Sequence, residues 1–418
     1  MSALPGSVPE PLTRLPDGTV KQVNPFTGTQ VWTVPGRAHR PLLPTDAPPP
    51  RPLRPEDDGR YCAFCERRYL ETPPERERVV RGPDGWRRLE ALPAGRVFDT
   101  VADFRLIPNL FEIVSYDYWR ANHGYRLDEA ARERLATYLR STRGRDHLLA
   151  VLRARFDVVR TEDVPRLAAR FFAGCHDVVV ARRHFVDGAS GDDEKASSGT
   201  LTPEEHEQYV AMTVRALVGL YETNPHARMV AVFQNWLRPA GASFDHLHKQ
   251  LVAVDEYGKD LVTQLARLAT EPDLYERWGP EYAAAQGLVI ARNEHAVATA
   301  GVGHRYPAAM VWSTAPGRPW ELSPSALRGF SDLLHAVHAA TGPEVPTNEE
   351  WHYQPPGVSP DAPLRAVVKW RVSTLAGFEG GTGIFLNTID PWTMQARLAD
   401  RLAELSAEGV LGDVRLGG

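Results

Sequence analysis

At 418 residues, 43% of them hydrophobic and 24% charged, the chain is long enough for two or three units around a sizeable core. A formal net charge of -5 excludes the broad basic surface that a general nucleic-acid or acidic-membrane binder needs, though not a local basic pocket for one nucleotide. No apolar run reaches membrane-spanning length and three cysteines make no disulfide framework, so a reduced, cytoplasmic setting without membrane partners is expected.

The first sixty residues show little helical periodicity, and prolines at 41, 44, 48, 49, 50, 52 and 55 predict an extended, semi-rigid arm. The start is Pro- and Gly-rich without the apolar core of a secretory signal. Phe104 to Phe111 reads as a strand running into a turn. Residues 127–156 carry Ala131, Leu135, Tyr138 and Leu139 at helical spacing, with a break expected at Gly144. Asp177 to Ala181 is β-branched and predicts a strand. Residues 187–199 offer almost nothing to bury and predict a mobile loop.

A helix start follows, in which Thr202 caps, Pro203 takes the first turn and Glu205 closes a capping box, so the helix should run to about Thr223. Met229 to Phe233 and Leu251 to Val254 predict strands on either side of a histidine-rich segment. After a helical linker around 259–285, strand signals recur at 288–291, 308–312 and 366–370. A helix is expected from about Ser323, and the last one begins at Asp390-Pro391. The two halves share this rhythm without an obvious repeat, which favours a duplicated α+β unit. The expected divisions are an arm over 1–60, a first half over 61–258 and a second half over 259–418.

The histidine-rich segment reads His246-Leu247-His248-Lys249-Gln250. On a strand, His246, His248 and Gln250 share one face, and Leu247, Lys249 and Leu251 take the other. Neutral imidazole is a competent nucleophile near pH 7, and a phospho-imidazolium remains a good leaving group. A carboxamide such as Gln250 donates to a phosphoryl oxygen without adding negative charge. Taken alone, one His-x-His is as readily a pair of strand histidines with no role. Cys62 and Cys65 have the spacing of a thiolate pair for zinc, or of two reduced cysteines in a loop.

The wider context carries a resemblance. Gln234-Asn235, then Gly241-Ala-Ser243-Phe-Asp-His246-Leu-His248-Lys-Gln250, resembles the active-site strand of the galactose-1-phosphate uridylyltransferase family in the histidine-triad superfamily. Asn24 to Gly28 followed by Arg37-Ala-His-Arg40 is similar to that family's N-terminal nucleotide-contacting segment. Cys62-Ala-Phe-Cys65 is similar to its zinc half-site, and Arg105-Leu-Ile-Pro-Asn109 to its ribose-contacting turn. Gly174 to His184 resembles the segment ending in its third zinc ligand, and Gly377 to Asn387 a stretch near the C-terminus of some members. The matches keep chain order and span most of the sequence. Asp245 and Leu247 stand where the family has prolines, and Leu110 where members acting on galactose often have Asp.

The resemblance implies two histidine-triad-like halves, each an antiparallel sheet packed with helices, of which 61–258 is the catalytic half with a helical insertion near 114–172, and a homodimer. It implies that His248 is the nucleophile, with Gln250 and Ser243 beside it. Arg37, Arg40, Asn109 and Asn235 would contact the nucleotide, and Lys369 the sugar phosphate. Cys62, Cys65, His184 and His246 would hold a structural Zn2+. The implied activity moves a nucleoside monophosphate between a nucleotide-sugar and a sugar 1-phosphate through a nucleotidyl-histidine. The alternatives are a phosphorylase or hydrolase of an ADP-sugar or dinucleoside polyphosphate, and a silent zinc-containing nucleotide binder.

Overall fold

The computed structural model describes residues 10–35, 49–359, 361–373 and 375–417; Arg37 and Arg40 lie outside them. The first part of the chain supplies β1 (Leu12–Arg14), β2 (Val20–Val23), β3 (Gln30–Thr33), β4 (Glu77–Gly82), β5 (Gly85–Glu90), β6 (Phe104–Pro108), β7 (His176–Ala181), β8 (Met229–Trp236) and β9 (His248–Val254). The remainder supplies β10 (Val289–Arg292), β11 (Ala296–Ala300), β12 (Ala308–Ser313), β13 (Thr347–His352), β14 (Arg365–Trp370), β15 (Ile384–Asn387) and β16 (Arg415–Leu416). Twelve strands form one sheet in the order β16-β10-β11-β12-β14-β13-β8-β9-β7-β6-β4-β5. Its two sets of strands meet where β13 pairs antiparallel with β8. This is an α+β protein.

Each helix forms where the sequence supplies its ends. Thr202 accepts the backbone N–H of Glu205, whose carboxylate returns to the Thr202 N–H, and the helix Pro203–Thr223 begins there. Ser323 and Asp390 cap Pro324–Thr341 and Pro391–Glu408 in the same way. These three helices pack on one face of the sheet and enclose the main apolar core, which includes Leu217, Leu251, Phe330, Val368 and Leu398. Over its middle strands the other face is open enough to carry the polar side chains described below. Further along that face, Phe26, Leu268 and Leu274 cover Met310, Trp312 and Val367. Among the described helices none is long and apolar enough to cross a membrane.

Three expectations change. The helical stretch 127–156 is two helices, Glu129–Arg140 and Thr142–Arg153, and the break falls at Ser141, whose hydroxyl accepts from Gly144 N–H. Gly144 lies inside the second helix, and the position takes glycine because a Cβ there would meet the Tyr138 carbonyl oxygen at 2.0 Å. The segment 187–199 is tied down. Leu53 N–H donates to the Ser190 carbonyl, Arg51 pairs with Asp192 at 2.9 Å, and Ala196 to Ser198 are buried. Short polar side chains can bond neighbouring backbone, which composition alone does not show. Finally, residues 12–33 are not merely an arm. β1, β2 and β3 form a small sheet completed by β15, which pairs parallel to β3.

Candidate active site and metal centre

The Cys62–Cys65 turn, closed by Cys65 N–H donating to the Cys62 carbonyl, stands against the end of β7 and the residues before β9. The Sγ atoms of Cys62 and Cys65 are 3.8 Å apart. His246 Nδ1 lies 3.4 Å from Cys62 Sγ and 3.8 Å from Cys65 Sγ, and His184 Nδ1 lies 3.8 Å from Cys65 Sγ. All four donor atoms fall within 4.8 Å of one another. Two thiolates about 2.3 Å from one tetrahedral centre are separated by about 3.8 Å, and a thiolate and an imidazole by about 3.6 Å. The donor set therefore has the chemistry and the spacing to hold a metal ion. His246 Nε2 donates to the Ala181 carbonyl at 2.6 Å, which turns Nδ1 to the thiols, as an outer partner of a metal-bound histidine does. The thiol of Cys62, with His184 and His246, shifts Cys65 toward thiolate.

β9 begins at His248, so His246 stands two residues ahead of the strand rather than within it. The rings of both histidines flank Phe64, at centroid distances of 6.0 and 5.3 Å. Phe64 is one of the two residues between the cysteines, and it also touches the apolar strip of Ile107, Val178 and Val180. The metal loop thus forms one wall of the His248 site. His248 Nδ1 donates to the carbonyl of His246 at 2.7 Å, which leaves Nε2 without a protein partner among the described residues. Burial pushes the imidazole down to about 4, so the ring is neutral near pH 7 and Nε2 carries a lone pair.

Beside it, Gln250 is oriented by a residue to which the sequence reading gave no role. Ile113 N–H donates to His176 Nδ1 at 3.2 Å, so the proton of this ring sits on Nε2, 3.1 Å from Gln250 Oε1. Burial holds His176 neutral by lowering it to about 4. Asn109 Nδ2 lies 3.1 Å from His176 Nε2 and 3.4 Å from the same Gln250 oxygen, while Asn109 Oδ1 accepts from Phe111 N–H. With its oxygen engaged, Gln250 turns its NH2 outward, ready to donate. His176 begins a strand in which 176, 178 and 180 alternate onto one side; that spacing was the available signal.

The structure brings His248, Gln250, Asn109 and Asn235 onto one face, because the antiparallel pairing sets Phe233 opposite Gln250 and Asn348 opposite Asn235. Asn235 Oδ1 accepts from Asn348 Nδ2 at 2.7 Å. Ser243 is exposed in the loop between β8 and β9. Lys369, on β14 opposite Asn348, gives its ammonium to Glu350 at 2.7 Å. Glu379 accepts from Ala376 N–H at the start of its own short helix. A cavity of about 410 Å³ adjoins the metal-ligand set, lined by Cys65, His184 and neighbours from Arg182 to Ala189, and one of about 420 Å³ lies between Leu92 and Phe172. Neither is lined by His248.

A family described as a domain of unknown function, DUF4921, matches residues 15–418. The chain belongs to the DUF4921 family. No curated protein matches it. Two solved structures share the fold of this DUF4921 protein over 91% of its length and 98% of theirs. One is an ADP-glucose phosphorylase from Arabidopsis thaliana with bound ADP-glucose, 19% identical at a TM-score of 0.58. The other is a galactose-1-phosphate uridylyltransferase-like protein from the same plant, 17% identical at 0.55. The fold expected from the histidine-rich segment is the fold found.

Proposed function

We propose that this DUF4921 protein is a nucleotidyltransferase in which His248 carries a nucleoside monophosphate between two phosphate-bearing partners. The observation that carries the reading is the state of His248. Its ring is neutral, its Nδ1–H is tied to its own chain, and its Nε2 is free beside an amide whose donor side is turned outward. The Nε2 lone pair attacks the α-phosphorus of a nucleotide-sugar, and the P–O bond to the leaving sugar 1-phosphate breaks. The imidazolium positive charge is then shared with the His246 carbonyl, while Gln250 and Ser243 donate to the phosphoryl oxygens. The acceptor's phosphate oxygen attacks next, the P–N bond breaks, and its electron pair returns to Nε2. Phe64 and the Ile107, Val178 and Val180 strip keep water from the adduct. Arg37, Arg40, Asn109 and Asn235 would contact the nucleotide, and Lys369 the sugar phosphate.

The Cys62, Cys65, His184 and His246 set would hold Zn2+ with all four positions filled, a structural ion that leaves no position for substrate. Metal analysis of carefully purified protein should give about one equivalent of zinc per chain; less than half would count heavily against the four-ligand site.

A second reading, phosphorolysis of an ADP-sugar, uses the same His248 and differs only in the acceptor; the ADP-glucose phosphorylase that shares the fold over nearly its whole length favours it. The deciving experiment for the shared step is intact-protein mass spectrometry after brief mixing with UDP-glucose, UDP-galactose, ADP-glucose or a dinucleoside polyphosphate. A gain of one nucleoside monophosphate in native protein, absent in His248→Ala, is expected. Binding without any adduct would support a silent nucleotide binder instead.

A further inference from the structure

The open face carries a cation that no carboxylate among the described residues neutralises. Continuing the β8–β9 register two residues past Phe233 and Gln250 sets Asn235 opposite His248. Asn235 pairs with Asn348, and Asn348 with Lys369, so one polar row crosses the four strands β9, β8, β13 and β14. The Lys369 charge at the far end is answered by Glu350. Arg371, just past the end of β14, is different. Among the described residues no carboxylate lies within ion-pair distance of it. Its Nη1 donates to Asn348 Oδ1 at 2.7 Å, its guanidinium stacks 4.6 Å over the buried Tyr306 ring, and its buried Nε has no partner. Asn348 in turn donates to Asn235 and to the Ala240 carbonyl, in the loop that leads to Ser243.

We propose that Arg371 binds the phosphate group of the second substrate, with Asn348 and Tyr306 as the residues that position it. The inference rests on reading His248 as the nucleotide carrier. A planar guanidinium held at one nitrogen and stacked on a ring has lost most of its freedom, and its remaining Nη2 edge suits a phosphate oxygen. Asn348 stands two strand spacings from His248, about 10 Å. In-line displacement puts the attacking oxygen on the side of the phosphorus away from the P–N bond. On this reading the acceptor phosphate sits between His248 and the Arg371 guanidinium, along the polar row that joins them. Attack by one of its oxygens forms the P–O bond, the P–N bond breaks, and its electrons return to His248. Inorganic phosphate would yield a nucleoside diphosphate, and a sugar 1-phosphate a nucleotide-sugar. Both present the same chemistry to Arg371.

The test separates this subsite from the first half-reaction. His248 is loaded with the p-nitrophenyl esters of adenosine and uridine 5′-monophosphate, whose leaving group carries no phosphate. Discharge is then followed by mass with inorganic phosphate, glucose 1-phosphate or water, in native protein, Arg371→Gln and Asn348→Ala. In Arg371→Gln, discharge by the phosphate-bearing acceptors should fall about 10- to 100-fold relative to discharge by water, with a smaller fall in Asn348→Ala. The acceptor that works better on native protein identifies the source of the phosphate. An unchanged ratio in Arg371→Gln would overturn the proposal. Calorimetric binding of inorganic phosphate to unloaded native and Arg371→Gln protein decides independently of loading, with a 10- to 100-fold weakening expected and equal affinity overturning it. Failure of native protein to load would instead sink the nucleotidyl-histidine reading.

Discussion

β9 carries two kinds of buried polar residue, back to back. On the helix-covered face, Lys249 is fully buried and gives its ammonium to Glu349 at 2.5 Å, which also accepts from His338 and Trp351. Lys249 lies over the rings of Tyr209 and Trp351 as well. Burial opposes ionisation of Glu349, but Lys249 and His338 hold it well below the usual carboxylate range. On the open face, His248 is nearly as buried, yet one ring nitrogen is left unengaged. Burial of a polar group therefore does not mark function. What separates Lys249 from His248 is whether every donor and acceptor of the side chain has a partner within the protein.

The largest effect should come from the open face. His248→Ala should remove the adduct and lower turnover by on the order of 10⁴-fold or more. Unfolding in urea should show a stability change within about 1 kcal/mol; a large loss would mean that His248 is structural. The reverse is expected of Glu349→Ala, which leaves Lys249 buried without a counter-charge and should cost about 3–5 kcal/mol. Replacing the pair together, Lys249→Met with Glu349→Leu, should return stability to near the native value. If the double variant is as unstable as the single, the network does more than satisfy itself.

Smaller effects sharpen the comparison. His176→Ala should slow loading of His248 by about 10-fold, because Gln250 loses the donor that fixes its orientation. His176→Gln, which keeps a donor, should recover part of that rate. Asp177, also on the covered face, is less well satisfied: neither carboxylate oxygen has a hydrogen-bond partner, and Arg76 stands 3.2 Å away. Burial raises this carboxyl to about 6. The folded state therefore holds its proton more tightly than the unfolded chain, so this group's stabilisation is lost as pH rises from about 4 to about 6. Asp177→Asn should flatten that part of the stability–pH curve relative to native protein, and an identical curve would remove Asp177 from the account.

Much of the fold was legible because its signals are local. The capping box at Thr202 and Glu205, the Asp390-Pro391 start and the β-branched run before Ala181 each specify an element by chemistry a few residues wide. The Cys62, Cys65, His184 and His246 grouping was accessible only through resemblance, since its members lie up to 184 residues apart. His176 and Arg371 were missed for a related reason. The role proposed for His176 rests on the backbone of Ile113 fixing its proton, and that for Arg371 on the lack of a carboxylate around it among the described residues. Neither appears in a linear pattern. The hold on residues 187–199 came from Arg51 and Leu53, more than a hundred residues earlier, where composition gave no hint.

The small sheet sets an order of events on the ribosome. β3 is made early, but its parallel partner β15 lies 354 residues later, from Gln30 to Ile384. At about 5–20 residues per second, the first strands wait roughly 20–70 s for that edge to emerge. During the wait β3 presents an open edge, a site where a neighbouring nascent chain can pair. Closing the small sheet must come after the large sheet's strands β4 to β14 have been synthesised, so β1 to β3 are made before those strands and secured after them.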